Sequence, residues 1–184
     1  INKPLEKLTK QIDIKITDRS VSIRDYGRGI PLGKVVDAVS KMNTGAKYDS
    51  KAFKKAVGLN GVGVKAVNAL SESFYIEAGR DGLLKKAEFV RGEIKSDKKN
   101  EKTDKPDGTL VSFVPDGHIF KNFQFRSGFV EKMLWNYCYL NPGLVIMYNG
   151  ARFESQNGLL DLLKENIGST EILYPIVHLR GDDI

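Results

Sequence analysis

Two glycine clusters hold the residue types that could do chemistry. The first is Asp25-Tyr26-Gly27-Arg28-Gly29-Ile30-Pro31, at the end of a stretch whose apolar residues alternate. A carboxylate there can accept a hydrogen bond from the exocyclic amine of a base, and the two glycines let a planar ring approach the backbone with no β-carbon in the way. The string equally suits a tight strand-to-helix turn in which Asp25 caps a backbone amide, since Asp-x-Gly-x-Gly is common in turns. The second cluster is Gly58-Leu59-Asn60-Gly61-Val62-Gly63, just ahead of a helical run. Glycines at a helix start expose free N–H groups and the positive end of the helix dipole, which together bind a phosphate chain. A glycine-softened helix start with no ligand is the plain alternative. The spacing G-x-x-G-x-G after a polar loop is not the dinucleotide fingerprint, which is G-x-G-x-x-G directly after a strand, and no P-loop string occurs. Taken as a pair, one cluster can hold a base and the other a phosphate chain. The polar loop between them is positioned to close over a nucleotide.

The surrounding sequence must supply the elements that hold these clusters. Gln11 to Thr17 alternates Ile12, Ile14 and Ile16 with polar residues, and a second alternating run carries Val21 and Ile23 up to Asp25, which is a β-hairpin signal. From Lys34 to Met42 the apolar Val35, Val36, Val39 and Met42 fall at helical spacing. Residues 43–57 lack a clean period and read as a long loop. Val62 to Leu70 places Val62, Ala66, Val67 and Leu70 on one helical face. Strand-like runs follow at Ser73 to Ala78, Leu84 to Val90 and Thr109 to Val114, the first two joined by an Arg80-Asp81-Gly82 turn. Phe129 to Leu140 and Leu159 to Ile167 read as helices, and Leu144 to Tyr148 and Ala151 to Glu154 flank an Asn149-Gly150 hairpin turn. The order is mixed, not strictly βαβ, so the expected class is α+β: a largely antiparallel mixed sheet with helices on one face.

A chain of 184 residues with 41% hydrophobic residues is long enough for one substantial core, and one domain is expected. No apolar run approaches the roughly 20 residues needed to cross a bilayer, and no signal pattern opens the chain, so a cytoplasmic protein with no membrane partner is expected. Cys138 is the single cysteine and lies in an apolar stretch, which reads as a buried structural thiol. The net charge of +6 suits a phosphate-bearing partner. Much of it sits between Lys95 and Lys105 among acids, and reads as a solvated loop.

The two clusters resemble the paired glycine motifs of the GHKL ATPases, a group that includes gyrase, the ninety-kilodalton heat-shock chaperone, histidine kinases and the MutL repair proteins. Within it, Asp25 to Pro31 and Gly58 to Ser71 are similar to the ATPase subunits of bacterial type II DNA topoisomerases of the gyrase or topoisomerase IV kind. The resemblance runs from about Gln11 to the C-terminus. It implies the Bergerat (GHKL) two-layer α+β sandwich over residues 1–172, with 173–184 starting a transducer domain or forming a C-terminal strand. It also implies ATP and Mg2+ as cofactors, ATP-dependent homodimerisation, an A-type topoisomerase subunit as partner, and DNA as the substrate of the intact enzyme.

Residue by residue, the resemblance implies that Asp25 accepts the adenine amine directly and through a water, with Gly27, Gly29, Ile30 and Pro31 lining the pocket. Thr109 would share that water and hydrogen-bond Asp25; a plain β-strand threonine is the alternative. Gly58, Leu59, Asn60, Gly61, Val62 and Gly63 would offer backbone N–H groups to the phosphates. Lys47 and Lys54 resemble lid lysines, with ordinary solvated lysine as the other reading. Arg28 and Arg80 resemble the pair at the pocket mouth, Arg80 being equally readable as a surface arginine.

The family's general-base glutamate and magnesium-binding asparagine stand on a helix ahead of the first hairpin. Residues 1–10 lack that order of residues and contain Pro4, so neither a catalytic base nor a metal ligand is assigned. Two other classes remain open: a nucleotide-sensing module of chaperone or kinase type, and a domain whose glycine loops are purely structural.

Overall fold

Alternation fixes the faces of the sheet. In the computed structural model, which describes residues 11–41 and 61–177, β1 (Gln11–Ile16) pairs antiparallel with β2 (Val21–Asp25) so that Ile14 opposes Ile23 and Ile16 opposes Val21. Next to β2, β7 (Gly108–Pro115) sets Val111 against Ile23 and Phe113 against Val21. β3 (Ser71–Arg80) continues the row with Ile76 beside Val111 and Phe74 beside Phe113, and β4 (Leu83–Val90) extends it with Ala87 and Phe89. On the other flank β8 (Val145–Tyr148) runs parallel to β1, Ile146 beside Ile12, and β9 (Ala151–Glu154) sets Phe153 against Ile146. With β5 (Glu93–Asp97) at one edge, the strand order is β5-β4-β3-β7-β2-β1-β8-β9, and β6 (Glu101–Lys102) pairs with β4. Because paired residues project to the same side, one face is apolar from β4 to β9.

Helices cover that face in two groups. α1 (Val35–Ser40) and α2 (Gly63–Ala69) lie over the β3–β4 end, where Val35, Val39, Phe74, Ile76 and Phe89 are fully buried. Each such side chain contributes about 1.5–3 kcal/mol. α3 (Ser127–Leu140) covers the β8–β9 end through Leu134 and Cys138 against Ile146, Tyr148 and Phe153. α4 (Leu159–Ile167) is tied to α3 by the Tyr139 hydroxyl on the Glu165 carboxylate. The result is the two-layer α+β sandwich that the sequence suggests, and Cys138 is buried as expected.

Three details differ from the sequence reading. α2 turns Lys65 and Asn68 inward, while Val62 and Leu70 are exposed. Asn68 Nδ2 donates to Val39 O (3.0 Å) and Lys65 Nζ to Gly61 O (2.5 Å), so polar anchoring to α1 and to the preceding turn decides the helix rotation. The Lys95–Lys105 stretch is exposed but not merely loop: β5 and β6 run through it, with cross-strand ion pairs Lys85–Asp97 and Lys86–Glu101. Residues 173–177 form no strand, and 178–184 lie outside the described residues.

Candidate functional site

β2 delivers Asp25 to the helix-covered face. The ladder places Arg24 opposite Leu110, so Asp25, one residue on, stands beside Thr109, whose other neighbour across β3 is Ala78. Both are half-buried at the point where the apolar face ends. Asp25 Oδ1 accepts the Gly27 N–H (2.8 Å), and no donor among the described residues reaches its Oδ2. The turn reading and the base reading are therefore compatible, since the turn uses only one of the two carboxylate oxygens. No direct hydrogen bond joins Asp25 to Thr109, although the resemblance implies one.

Around Asp25 four stretches of backbone meet with no side chain between them. Gly29 has φ +68°, and a β-carbon there would lie 3.2 Å from the Gly79 carbonyl carbon, nearer still to its oxygen, and 3.3 Å from Gly108 O. Gly108 has φ +136°, and a β-carbon there would lie 3.0 Å from the carbonyl carbon of Asp25 and from Tyr26 Cα. Only glycine satisfies both the dihedral and the space. Of these contacts, the sequence reading does not single out Gly79. An isolated glycine within a strand pattern is the signal that could have found it.

The other candidate residues are dispersed around this centre. Ile30 packs against the α1/β3 core, and Pro31 O accepts the Lys34 N–H (2.7 Å) to start a 3-10 turn, Leu32–Lys34, that leads into α1. Arg28 is exposed. Arg80 is 39% exposed, follows Gly79, and pairs with its neighbour Asp81 at 3.3 Å. Gly61, Val62 and Gly63 form the start of α2, whose first amides lack partners within the helix. Lys47, Lys54, Gly58, Leu59 and Asn60 lie outside the described residues.

On the opposite, open face of the sheet, Tyr26 OH donates to Asp13 Oδ2 (2.5 Å), and that bond together with burial raises the phenol above its ordinary value. A groove of about 270 Å³ crosses Ser22, Tyr75 and Ser112 on this face, and none of the candidate residues lines it. No described helix is long and apolar enough to cross a membrane.

No protein-family model matches the chain. It is 48% identical over 168 residues to the B subunit of DNA topoisomerase 4 from Borreliella burgdorferi, covering 91% of this chain and 28% of that protein. It is 34% identical over 180 residues to the B subunit of the type 2 topoisomerase from Aquifex aeolicus, covering 90% of this chain and 23% of that protein. The chain thus spans less than a third of the length of these curated relatives. Among solved structures it is similar to the 43K ATPase domain of Thermus thermophilus gyrase B in complex with an aminocoumarin, with a TM-score of 0.74 and 25% identity over 93% of this chain and 47% of that one.

Proposed function

We propose that the nucleotide site of this chain, which belongs by sequence and by fold with the ATPase domains of type II DNA topoisomerase B subunits, is the Asp25 corner. The observation that carries this is Asp25 itself, with one carboxylate oxygen held by Gly27 and the other lacking a donor, next to backbone stripped of β-carbons. Asp25 Oδ2 accepts the adenine amine, and Thr109, beside it on the sheet, shares the water that bridges the two. Gly27, Gly29, Ile30 and Pro31 wall the ring. The amides of residues 58–63 receive the phosphates at the start of α2, Lys47 and Lys54 reach them from the loop, and Arg28 and Arg80 guard the mouth.

Among the described residues no group of three or more acidic, histidine or cysteine side chains could hold a metal ion. Mg2+ would arrive on the phosphates of ATP, as that ion commonly does. In the intact subunit, nucleotide binding pairs two copies of residues 1–172, gating the passage of DNA beside an A-type subunit in the cytoplasm.

Calorimetric titration with ADP and a non-hydrolysable ATP analogue, with and without Mg2+, tests the site against Asp25→Asn. Asparagine keeps one acceptor, which Gly27 N–H occupies, and turns an amide donor toward the adenine amine. An unpaired polar group of that kind costs about 1–3 kcal/mol, or roughly 5- to 150-fold in affinity. Equal affinity in parent and variant would sink the assignment.

A further inference from the structure

Behind the nucleotide corner, on the open face of the sheet, lies a buried carboxylate that the proposed chemistry does not use. Glu77 on β3 is 3% exposed and stands in a row with Leu110 and Arg24 across β7 and β2. Lys105 Nζ donates to both its oxygens (2.9 and 3.1 Å), Tyr75 OH donates to Oε2 (2.9 Å), and Arg24 Nη1 lies 3.7 Å from Oε1. Burial alone would raise this carboxyl. The hydrogen bonds from Lys105 and Tyr75, with the charges of Lys105 and Arg24, outweigh it and hold the group below its ordinary value.

Three consecutive residues of the segment before Thr109 are anchored, two of them by this group. Lys105 is held by Glu77, Pro106 O accepts from Arg24 Nη2 (2.7 Å), and Asp107 Oδ1 accepts from the Asp81 N–H (3.0 Å) of the β3–β4 turn. The next residue is Gly108, whose Cα approaches the Asp25 backbone, and after it comes Thr109. As a pure stability device a buried ion cluster is inefficient, because well-packed apolar side chains in its place often do as well or better. As a clamp it does what apolar packing does not, fixing Lys105 and Pro106 by direction as well as by distance, next to an Asp107 held by the β3–β4 turn.

We infer that Glu77 is a positioning residue of the nucleotide site: through Lys105 and Arg24 it sets the Pro106–Gly108 backbone, and so the spacing between Thr109 and Asp25 that selects the adenine edge. The inference rests on the assignment of Asp25 as the adenine acceptor. It requires no contact between Glu77 and the ligand. Neutralising Glu77 is expected to loosen the register of the base-reading pair.

The test compares ADP with inosine diphosphate, which carries an oxygen where adenine carries the amine, on the parent chain and on Glu77→Gln, Lys105→Gln and Asp25→Asn, by calorimetric titration. A loss of folded protein lowers the apparent number of sites for both nucleotides alike and leaves the affinity ratio unmoved. A loosened base pocket lowers the ratio. Glu77→Gln is expected to cut the preference for ADP about tenfold, the order of one charge-assisted bond made neutral. Lys105→Gln, at a side chain 53% exposed, should shift the ratio in the same direction and gives the result should the Glu77 variant fail to fold. A ratio that collapses in Asp25→Asn and holds at the parent value in both clamp variants overturns the role of Glu77. A ratio unmoved in Asp25→Asn overturns the adenine assignment, and the clamp with it.

Discussion

Gly29 and Gly82 have nearly the same backbone, φ +68° and +73°, in different surroundings. Around an added β-carbon at Gly82, which follows Asp81 in the β3–β4 turn, nothing lies within 4 Å. At Gly29 the same atom meets the Gly79 carbonyl of β3, a strand hydrogen-bonded on both sides and unable to retreat. Gly82→Ala should therefore cost only the left-handed conformation, about 1–2 kcal/mol. Gly29→Ala adds an overpacking cost of about 1–3 kcal/mol, for roughly 2–5 kcal/mol in all. At about 2–4 °C per kcal/mol for a chain of this size, Tm falls by roughly 2–8 °C at Gly82 and roughly 4–20 °C at Gly29. Thermal unfolding measured beside ADP titration at low temperature separates the two effects. Gly82→Ala should bind ADP as the parent does, and Gly29→Ala should not, because the ring loses its bare backbone wall. Equal Tm losses in the two variants would refute the close approach, and a Gly29→Ala protein that binds ADP normally would refute the wall.

Two further outcomes follow from charge and burial. Arg91 Nε lies 2.5 Å from Asp116 Oδ2, and this bond, with the His118 N–H, holds the Asp116 carboxyl below its ordinary value. A group depressed in the folded state contributes stability that is present above the unfolded value, about 3.9, and is lost as pH falls through the folded one. Asp116→Asn should flatten the acid limb of a Tm-versus-pH curve below about pH 4 while lowering Tm at neutral pH, and an unchanged acid limb would exclude the pair as a contributor. Cys138 is fully buried, and burial, followed by the charge of Glu154, raises its thiol. Iodoacetamide at neutral pH should leave the native protein unlabelled and modify it on unfolding, as mass spectrometry would show; rapid native labelling would contradict the packing of α3 on β8 and β9.

How much of this is legible in the sequence depends on contrast between faces. The β1–β2 hairpin, the Asn149-Gly150 turn and α4 announce themselves because apolar and polar residues alternate at one clear period. α2 misleads because its inward contacts are polar: Asn68 reaches a carbonyl of α1 and Lys65 one of its own turn, leaving Leu70 beside Phe120 and Phe123 in an apolar groove of about 240 Å³. β5 and β6 escape notice because β5 sets only Ile94 against the charged Glu93, Lys95 and Asp97 and β6 is just Glu101-Lys102, so no apolar period stands out from a solvated loop. At the site, Asp25, Gly29 and Thr109 can be named from local strings, and the ladder brings Asp25 and Thr109 side by side. Glu77 cannot be named, since its partner Lys105 lies 28 residues away and nothing near either one marks the pairing.

β1 is bonded to β2, five residues away along the chain, and to β8, whose last residue Tyr148 follows Ile16 by 132 positions. During synthesis, at about 5–20 residues per second, that neighbour is made roughly 7–25 s after the hairpin. Over this interval one edge of β1, with Ile12, Ile14 and Ile16 on its apolar face, has no strand to pair with, and β2 waits for β7 in the same way. The nascent hairpin carries the Asp25 corner from the start, but Thr109 and Gly108 reach it only with β7. The proposed base-reading corner is therefore completed only when β7 has been made, and until then the unpaired strand edges are where a second nascent chain could pair.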